Sequence, residues 1–137
     1  MSKIHVYHHN DHDGIVAAGI LYNFLYEIED FEFRMANYQE ELNFDHINFE
    51  NGDIVYFLDY SFSNKKNLEE FKKLLDRRID KKSVIWIDHH KTSIKVFDEY
   101  DVYGIVDTSL CGAAWTYLWV KMLLAEFQLT TEPELYS

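Results

Sequence analysis

A chain of 137 residues, 47% hydrophobic and 27% charged, is long enough for one core and too short for two, and one proline and five glycines exclude the disordered and collagen-like classes. Against 24 Asp and Glu stand 13 Lys and Arg, a formal charge of −11, and nothing gathers the cations into a patch that could follow a duplex, which argues against a DNA-coating protein. The lone Cys111 rules out an internal disulfide, and the start MSKIHVYHH lacks a basic segment followed by a long apolar one, so a cytoplasmic protein is expected.

Lys3 to His8 alternates and holds β-favouring Ile4, Val6 and Tyr7, which predicts a first strand opening into the polar turn His9 to Gly14. Ile15 to Asp30 follows as a helix, with Ile15, Ala18, Gly19, Tyr22, Leu25 and Tyr26 as its inward stripe and Val16, Ile20 and Phe24 widening it. Phe31 to Met35 reads as a short strand, and Asn37 to Asn51 as an acidic, amide-rich loop with at most a turn of helix. The apolar run Ile54 to Leu58, led in by Asn51-Gly52-Asp53, has the pattern of a strand covered on both faces, and it ends on Asp59.

Ser63 or Asn64 caps a helix through about Ile79, with Leu68, Phe71, Leu75 and Ile79 inward. Ser83 to Ile87 is another wholly apolar strand, ending in Asp88-His89-His90, and Val102 to Val106 is a further short strand followed by Asp107. Cys111 to Glu126 is a helix apolar nearly all round, which calls for cover on more than one side, from a second copy or from a further segment. Its longest apolar stretch, Ala113 to Ala125, is broken by Lys121 and falls short of the ~20 residues that a bilayer takes, so no membrane segment is expected. Alternating strands and helices predict an α/β fold: a mainly parallel sheet of about five strands with helices on both faces.

In such a sheet, ligands bind beyond the carboxyl ends of the strands, where three clusters fall: His9-Asn10-Asp11-His12-Asp13-Gly14, Leu58-Asp59-Tyr60 and Asp88-His89-His90. Each alone is ordinary turn chemistry, since Asp side chains bond their own backbone and cap helices. Brought to one edge, the carboxylates would repel and raise each other's pKa unless cations neutralise them. Mixed carboxylate and imidazole donors suit Mn²⁺, Zn²⁺ or Fe²⁺ better than Ca²⁺ or Mg²⁺, and so many donors suit two ions better than one.

The triplet Asp88-His89-His90 resembles the signature of the DHH phosphoesterases. His9-x-Asp11-x-Asp13-Gly14 resembles their first motif, Asp59 after an apolar strand their second, Val84-Ile85-Trp86-Ile87-Asp88-His89-His90-Lys91-Thr92 their third, and Cys111-Gly112-Ala113-Ala114 the small-residue segment that follows. The order and spacing agree over about residues 4 to 120. The resemblance implies two Mn²⁺ ions, with Mg²⁺ or Co²⁺ as substitutes: one held by His9, Asp11 and Asp59, the other by Asp13, Asp59 and His89, with Asp59 bridging. It places His90 toward the substrate phosphate, with Asp88 orienting the triplet, and leaves His8 and His12 as strand and turn residues. Gly112, Ala113 and the amides that open their helix either add donors for an anion or serve close helix packing.

Two departures from the family pattern stand out. The usual further Asp downstream of the small-residue helix has no counterpart before Ser137, so Asp107 substitutes, water does, or the ligand is missing. No C-terminal substrate domain follows either, so residues 1–137 read as one DHH-type domain that is a fragment, a shortened protein, or half of a site completed by a partner. The implied activity is two-metal hydrolysis of a phosphodiester or phosphoanhydride in a small nucleotide or short single-stranded oligonucleotide. Tyr38 and Tyr60, near strand ends, are the candidates for base stacking. The rival readings are an inorganic pyrophosphatase, a metal or nucleotide binding module without turnover, and an interaction domain built on the apolar last helix.

Overall fold

A computed structural model of the chain describes residues 2–26 and 30–131, the side chains of 127–131 excepted. In chain order the elements are β1 (Ile4–His9), α1 (His12–Leu25), β2 (Phe31–Ala36), β3 (Ile54–Leu58), α2 (Lys65–Arg77), β4 (Val84–Asp88), α3 (Lys91–Glu99), β5 (Tyr103–Val106) and α4 (Gly112–Thr131), with short 3₁₀ turns at Phe49–Asn51 and Lys81–Ser83. The strands form one sheet in the order β2-β1-β3-β4-β5, every pairing parallel. This is the α/β architecture expected from the alternating pattern.

Central strands alternate into two cores. Ile4, Val6, Tyr56, Leu58, Ile85 and Ile87 point to the side covered by α1 and α4, while Tyr7, Val55, Phe57, Val84 and Trp86 point to the side covered by α2, α3 and the loop after β2. Burial on both faces is why β3 and β4 read as unbroken apolar runs. On the second side Phe62 stacks on Phe71 at 4.1 Å and meets Trp86 edge-on at 5.1 Å. Each such buried side chain contributes about 1.5–3 kcal/mol of transfer free energy. No helix among the described residues is long and apolar enough to cross a membrane.

Helix α1 departs from its expected stripe. Its buried residues are Gly14, Ala17, Ala18, Leu21 and Leu25, whereas Ile15, Val16, Tyr22 and Tyr26 are about half exposed. The helix starts at His12 and runs so close to β1 that a Cβ on Gly14 would lie 2.1 Å from the His9 carbonyl oxygen. Gly14, Ala17 and Ala18 therefore face the sheet in the first turns, with Leu21 and Leu25 following them on the same side, and Ile15, Val16 and Tyr22 are displaced to the flanks. The helix ends at Leu25, and residues 27–29 of the expected range lie outside the described ones.

In α2 the inward residue is Leu74 rather than Ile79, which is 70% exposed because the chain turns extended at Arg78 and leaves the helical period. The helix α3 went unread in the sequence; its Val96 and Phe97 pack on the α2 side. In α4, Trp119 and Val120 are buried, Trp115 is partly covered, and Tyr117, Leu118 and Met122 are exposed among the described residues. Cys111, the residue before α4, is exposed.

The order of strands sets the position of the site. From β1 the chain crosses to β2 on one side, whereas β3, β4 and β5 are added on the other. The connections leaving β1 and β3 thus part at their carboxyl ends and open a crevice there.

Candidate metal centre

All three clusters meet at this crevice. β1 ends at His9, and Asp11 caps α1, its carboxylate accepting the Gly14 amide at 2.7 Å. Asp13, in the first helical turn, reaches instead to the start of α4, where it accepts the Gly112 amide at 2.9 Å and the Ala113 amide at 2.8 Å. Asp59 follows β3 with φ +55, a left-handed conformation uncommon for a residue with a side chain, and is wholly buried. Gly112 approaches it so closely that an added Cβ would lie 3.0 Å from the Asp59 Cβ and 3.1 Å from Asp13 Oδ2. Any larger residue at 112 would press on the two acids and require them to shift by a few tenths of an ångström.

The imidazoles join the acids in pairs. His9 Nδ1 lies 2.8 Å from Asp11 Oδ2, and His89 Nε2 lies 2.8 Å from Asp59 Oδ1 and 3.3 Å from Asp13 Oδ2. His9, Asp11 and Asp59 each offer a ligand atom within 4.8 Å of the others, and so do Asp59, Asp88, His89 and His90. Asp59 belongs to both groups, and its buried Oδ2 has no hydrogen-bond partner among the described residues. An orphaned carboxylate oxygen between two sets of nitrogen and oxygen donors fits a divalent cation.

Asp88 is engaged differently. His90 Nδ1 lies 2.7 Å from Asp88 Oδ1, Ser93 Oγ donates to the other oxygen, and the carboxylate is wholly buried. The bond to Asp88 raises the His90 pKa above the ordinary histidine value, against the opposing effect of burial. For Asp59, burial first and the carboxylates of Asp11 and Asp13 next push the pKa up to about 9. Burial also works to raise Asp13, but the Ala113 and Gly112 amides and the charge of His89 hold it below the usual carboxylate value.

These shifts give metal-free protein a definite pH response. A carboxyl whose folded pKa is raised contributes stability that is complete below its unfolded value near 3.8 and is lost as pH rises toward about 9. His90, also raised, loses its contribution in the same direction above the ordinary 6.5. In chelator, the unfolding temperature is therefore expected to be lower at pH 9 than at pH 6.5, an interval in which His90 begins to lose its contribution and Asp59 loses the last part of its own. Scanning calorimetry checks this, and a higher transition at the alkaline pH would refute the proton held at Asp59. Because a cation competes with that proton, metal affinity is expected to rise over the same interval.

Of the residues singled out in the sequence, His9, Asp11, Asp13, Asp59, Asp88, His89 and His90 all converge. The Gly112 and Ala113 amides are at the crevice too, engaged by Asp13. Asp107 is outside both groups: it is exposed, and its Oδ1 accepts the Ser109 amide at 2.7 Å in a local turn after β5. His8 lies buried in β1 and His12 opens α1. Tyr60 is no stacking surface, being wholly buried with its hydroxyl accepting from Asn67 Nδ2 at 3.1 Å.

Tyr38 stacks instead on His9, ring centroids 4.4 Å apart, and fixes that imidazole from the loop after β2. Burial and the nearby Asp88 charge push its pKa to about 12, so the phenol stays neutral. Ser93 was not foreseen at all. Its signal was its place three residues after His90, in the first turn of an unread helix.

A solved structure described as "Crystal structure of an uncharacterized protein from Helicobacter pylori G27" has the same fold, with a TM-score of 0.61 at 16% identity over 89% of this chain. This chain spans 37% of the length of that one. A sequence search of curated proteins finds no match. The family model described as the DHH family, N-terminal domain, matches residues 3–134 and so takes in every residue of the crevice: the chain belongs to the DHH family.

Proposed function

We propose that the chain is the metal-binding half of a phosphoesterase that hydrolyses a phosphodiester or phosphoanhydride in a small nucleotide or short oligonucleotide. The observation that carries this reading is the buried Asp59, shared by two donor groups and left with an unsatisfied oxygen. Membership of a family of phosphoesterases supports it. His9, Asp11 and Asp59 would hold one ion and Asp13, Asp59 and His89 the second; the family likeness suggests Mn²⁺, with Mg²⁺ or Co²⁺ as replacements, and the mixed donor set is compatible with it. Bound ions would supply Lewis-acid charge and an activated water.

The chain's own residues do the rest. Asp88, fixed by Ser93, accepts a hydrogen bond from His90 Nδ1–H and turns the imidazole so that Nε2 serves a substrate oxygen. Kept protonated by that carboxylate, His90 donates to the oxygen on which negative charge develops. Tyr38 holds the His9 ring, and the Gly112 and Ala113 amides hold Asp13, so each ligand is oriented before any ion arrives. A net charge of −11 disfavours long polyanions, which supports a short substrate.

A second reading, a binding module without turnover, is favoured by one observation: Asp107 turns to the surface and supplies no further acid to the crevice. Hydrolysis of dinucleotides, cyclic dinucleotides, pyrophosphate and a longer single strand, assayed with Mn²⁺ at matched salt, separates the two. Turnover of a short substrate is the expected result. Tight metal binding with all four substrates inert would replace the enzyme with the module, and turnover of pyrophosphate alone would make it a pyrophosphatase.

A further inference from the structure

At the other end of β1, four residues and about 13 Å from His9, a second group of titratable side chains lines a cleft of about 270 Å³ beside the loop after β2. His5 is its buried histidine, 2% exposed. His5 Nε2 lies 2.8 Å from Asp53 Oδ2, and the same carboxylate accepts the Lys3 and Asn48 amides, each at 3.0 Å. An ionised carboxylate only accepts, so the proton of neutral His5 sits on Nε2 and Nδ1 carries a lone pair. That Nδ1 is buried and has no hydrogen-bond partner among the described residues. Opposite it, at 4.0 Å, stands Oε2 of Glu32, the residue paired with His5 on β2. Arg34 holds the other oxygen of Glu32, and Lys3 Nζ approaches Oε2 only to 3.6 Å. Two acceptors therefore face each other with an orphaned nitrogen between strands, an arrangement that a cation resolves.

His46 brings a third donor from the loop. The Tyr7 hydroxyl donates to the Asn43 carbonyl at 3.3 Å, so it accepts from His46 Nε2 at 3.1 Å, and the lone pair of His46 is again on Nδ1. The rings of His5 and His46 meet edge-on with centroids 5.2 Å apart. Two imidazoles on one tetrahedral ion, with metal to nitrogen bonds of about 2.0–2.1 Å, have centroids about 5 Å apart, so the rings already stand at that separation. The donor atoms are less closely drawn than those of the crevice, which fall within 4.8 Å of one another. Rotation of Glu32, whose side chain is 36% exposed, and of the exposed His46 closes the difference.

We propose that His5 Nδ1, Glu32 Oε2 and His46 Nδ1 hold a zinc-type divalent ion, with water in the fourth position, at a site separate from the crevice. Asp53 and the Tyr7 hydroxyl fix the tautomer and orientation of the two imidazoles from behind, as partners of ligating histidines do. Two nitrogen donors and one oxygen select Zn²⁺ over Mg²⁺ or Ca²⁺. The ion fastens the loop after β2 to β1 and β2. Tyr38 belongs to that loop, so the same ion steadies the segment from which Tyr38 stacks on His9.

Calorimetric titration of the full chain with Zn²⁺ tests the site, in the unaltered protein and in Asp59→Asn, whose crevice lacks its shared donor. One equivalent is expected to remain in Asp59→Asn, with a dissociation constant of about 10 µM or tighter. In that background Glu32→Gln and His46→Ala should each weaken it at least about tenfold, since each removes one of three ligands. Asp45→Asn, next to His46 but outside the cleft, should change it less than about threefold. Nitrogen-15 NMR of the imidazoles gives a readout independent of affinity: Zn²⁺ should move the Nδ1 resonances of His5 and His46 while both keep the proton on Nε2. Circular dichroism establishes that the variants are folded, and if Asp59→Asn is not, the same losses read in the unaltered background decide. No retained equivalent, an equivalent that survives both Glu32→Gln and His46→Ala, an equal loss in Asp45→Asn, or unmoved Nδ1 resonances overturns the proposal.

Discussion

Asp59→Asn is expected to lower Mn²⁺ affinity by at least about 10²-fold and to leave no measurable turnover. Partners that only orient a ligand cost 10 to 100-fold when removed, and Asp59 stands inside both donor groups. Asparagine is the informative substitution because it tolerates the left-handed backbone at φ +55, so the loss is one of charge and not of fold. The control is intrinsic: with no carboxyl at position 59 to ionise, the metal-free variant should lose much of the alkaline destabilisation that a pKa near 9 gives the parent. It should also lose most of the rise in unfolding temperature that Mn²⁺ produces by binding only the folded state. Isothermal titration and calorimetry measure both, and unchanged Mn²⁺ affinity in the variant would remove Asp59 from the centre.

His90→Ala should separate chemistry from loading. Its imidazole is tied to Asp88 at 2.7 Å, while His89 faces Asp59 and Asp13, so removing His90 takes away a charge donor and leaves the acids of the crevice in place. The expected loss in kcat is about 10² to 10³, with metal affinity changed less than about tenfold. The pH profile gives a second readout. Activity of the parent should rise from the acid side as the proton on Asp59 gives way to metal. It should fall on the alkaline side as His90, whose pKa is raised by Asp88, finally deprotonates. In the variant the alkaline fall should vanish. A variant that keeps both the rate and that limb would show that His90 takes no part in the reaction.

What could be read from the chain depended on how local the signal was. β3 and β4 were legible because both of their faces are buried, and strand-end acids were legible because a parallel sheet brings such ends to one edge. The α1 face was misjudged because counting large apolar residues ignores distance. Helix and strand pass so closely at Gly14 that the small residues, not Tyr22 or Ile15, face inward. Ile79 was misassigned because a period counted in sequence does not register that the helix stops at Arg77. At the site, the donors were identifiable by residue type, but their supports were not. Tyr38 comes from a loop of no clear period to stack on His9, and the Asp13 contact with α4 spans about 100 residues. Ser93 belongs to a nine-residue helix too short to announce itself beside the triplet.

The bonds from the Gly112 and Ala113 amides to Asp13 also order the events of synthesis and folding. They link positions 99 and 100 residues apart, so a nascent chain that has exposed β1, β3 and β4 still lacks the cap over its acids. Closing so large a loop costs chain entropy that the packing of α4 against α1 must offset first. Until then Asp13 has no donors to hold it, and Asp59 is not sealed from water by Gly112. At the proposed centre, high-affinity metal capture is thus expected to be a late event, dependent on α4 having docked. A manganese-quenched fluorophore near the crevice would report completion of the fold rather than its nucleation.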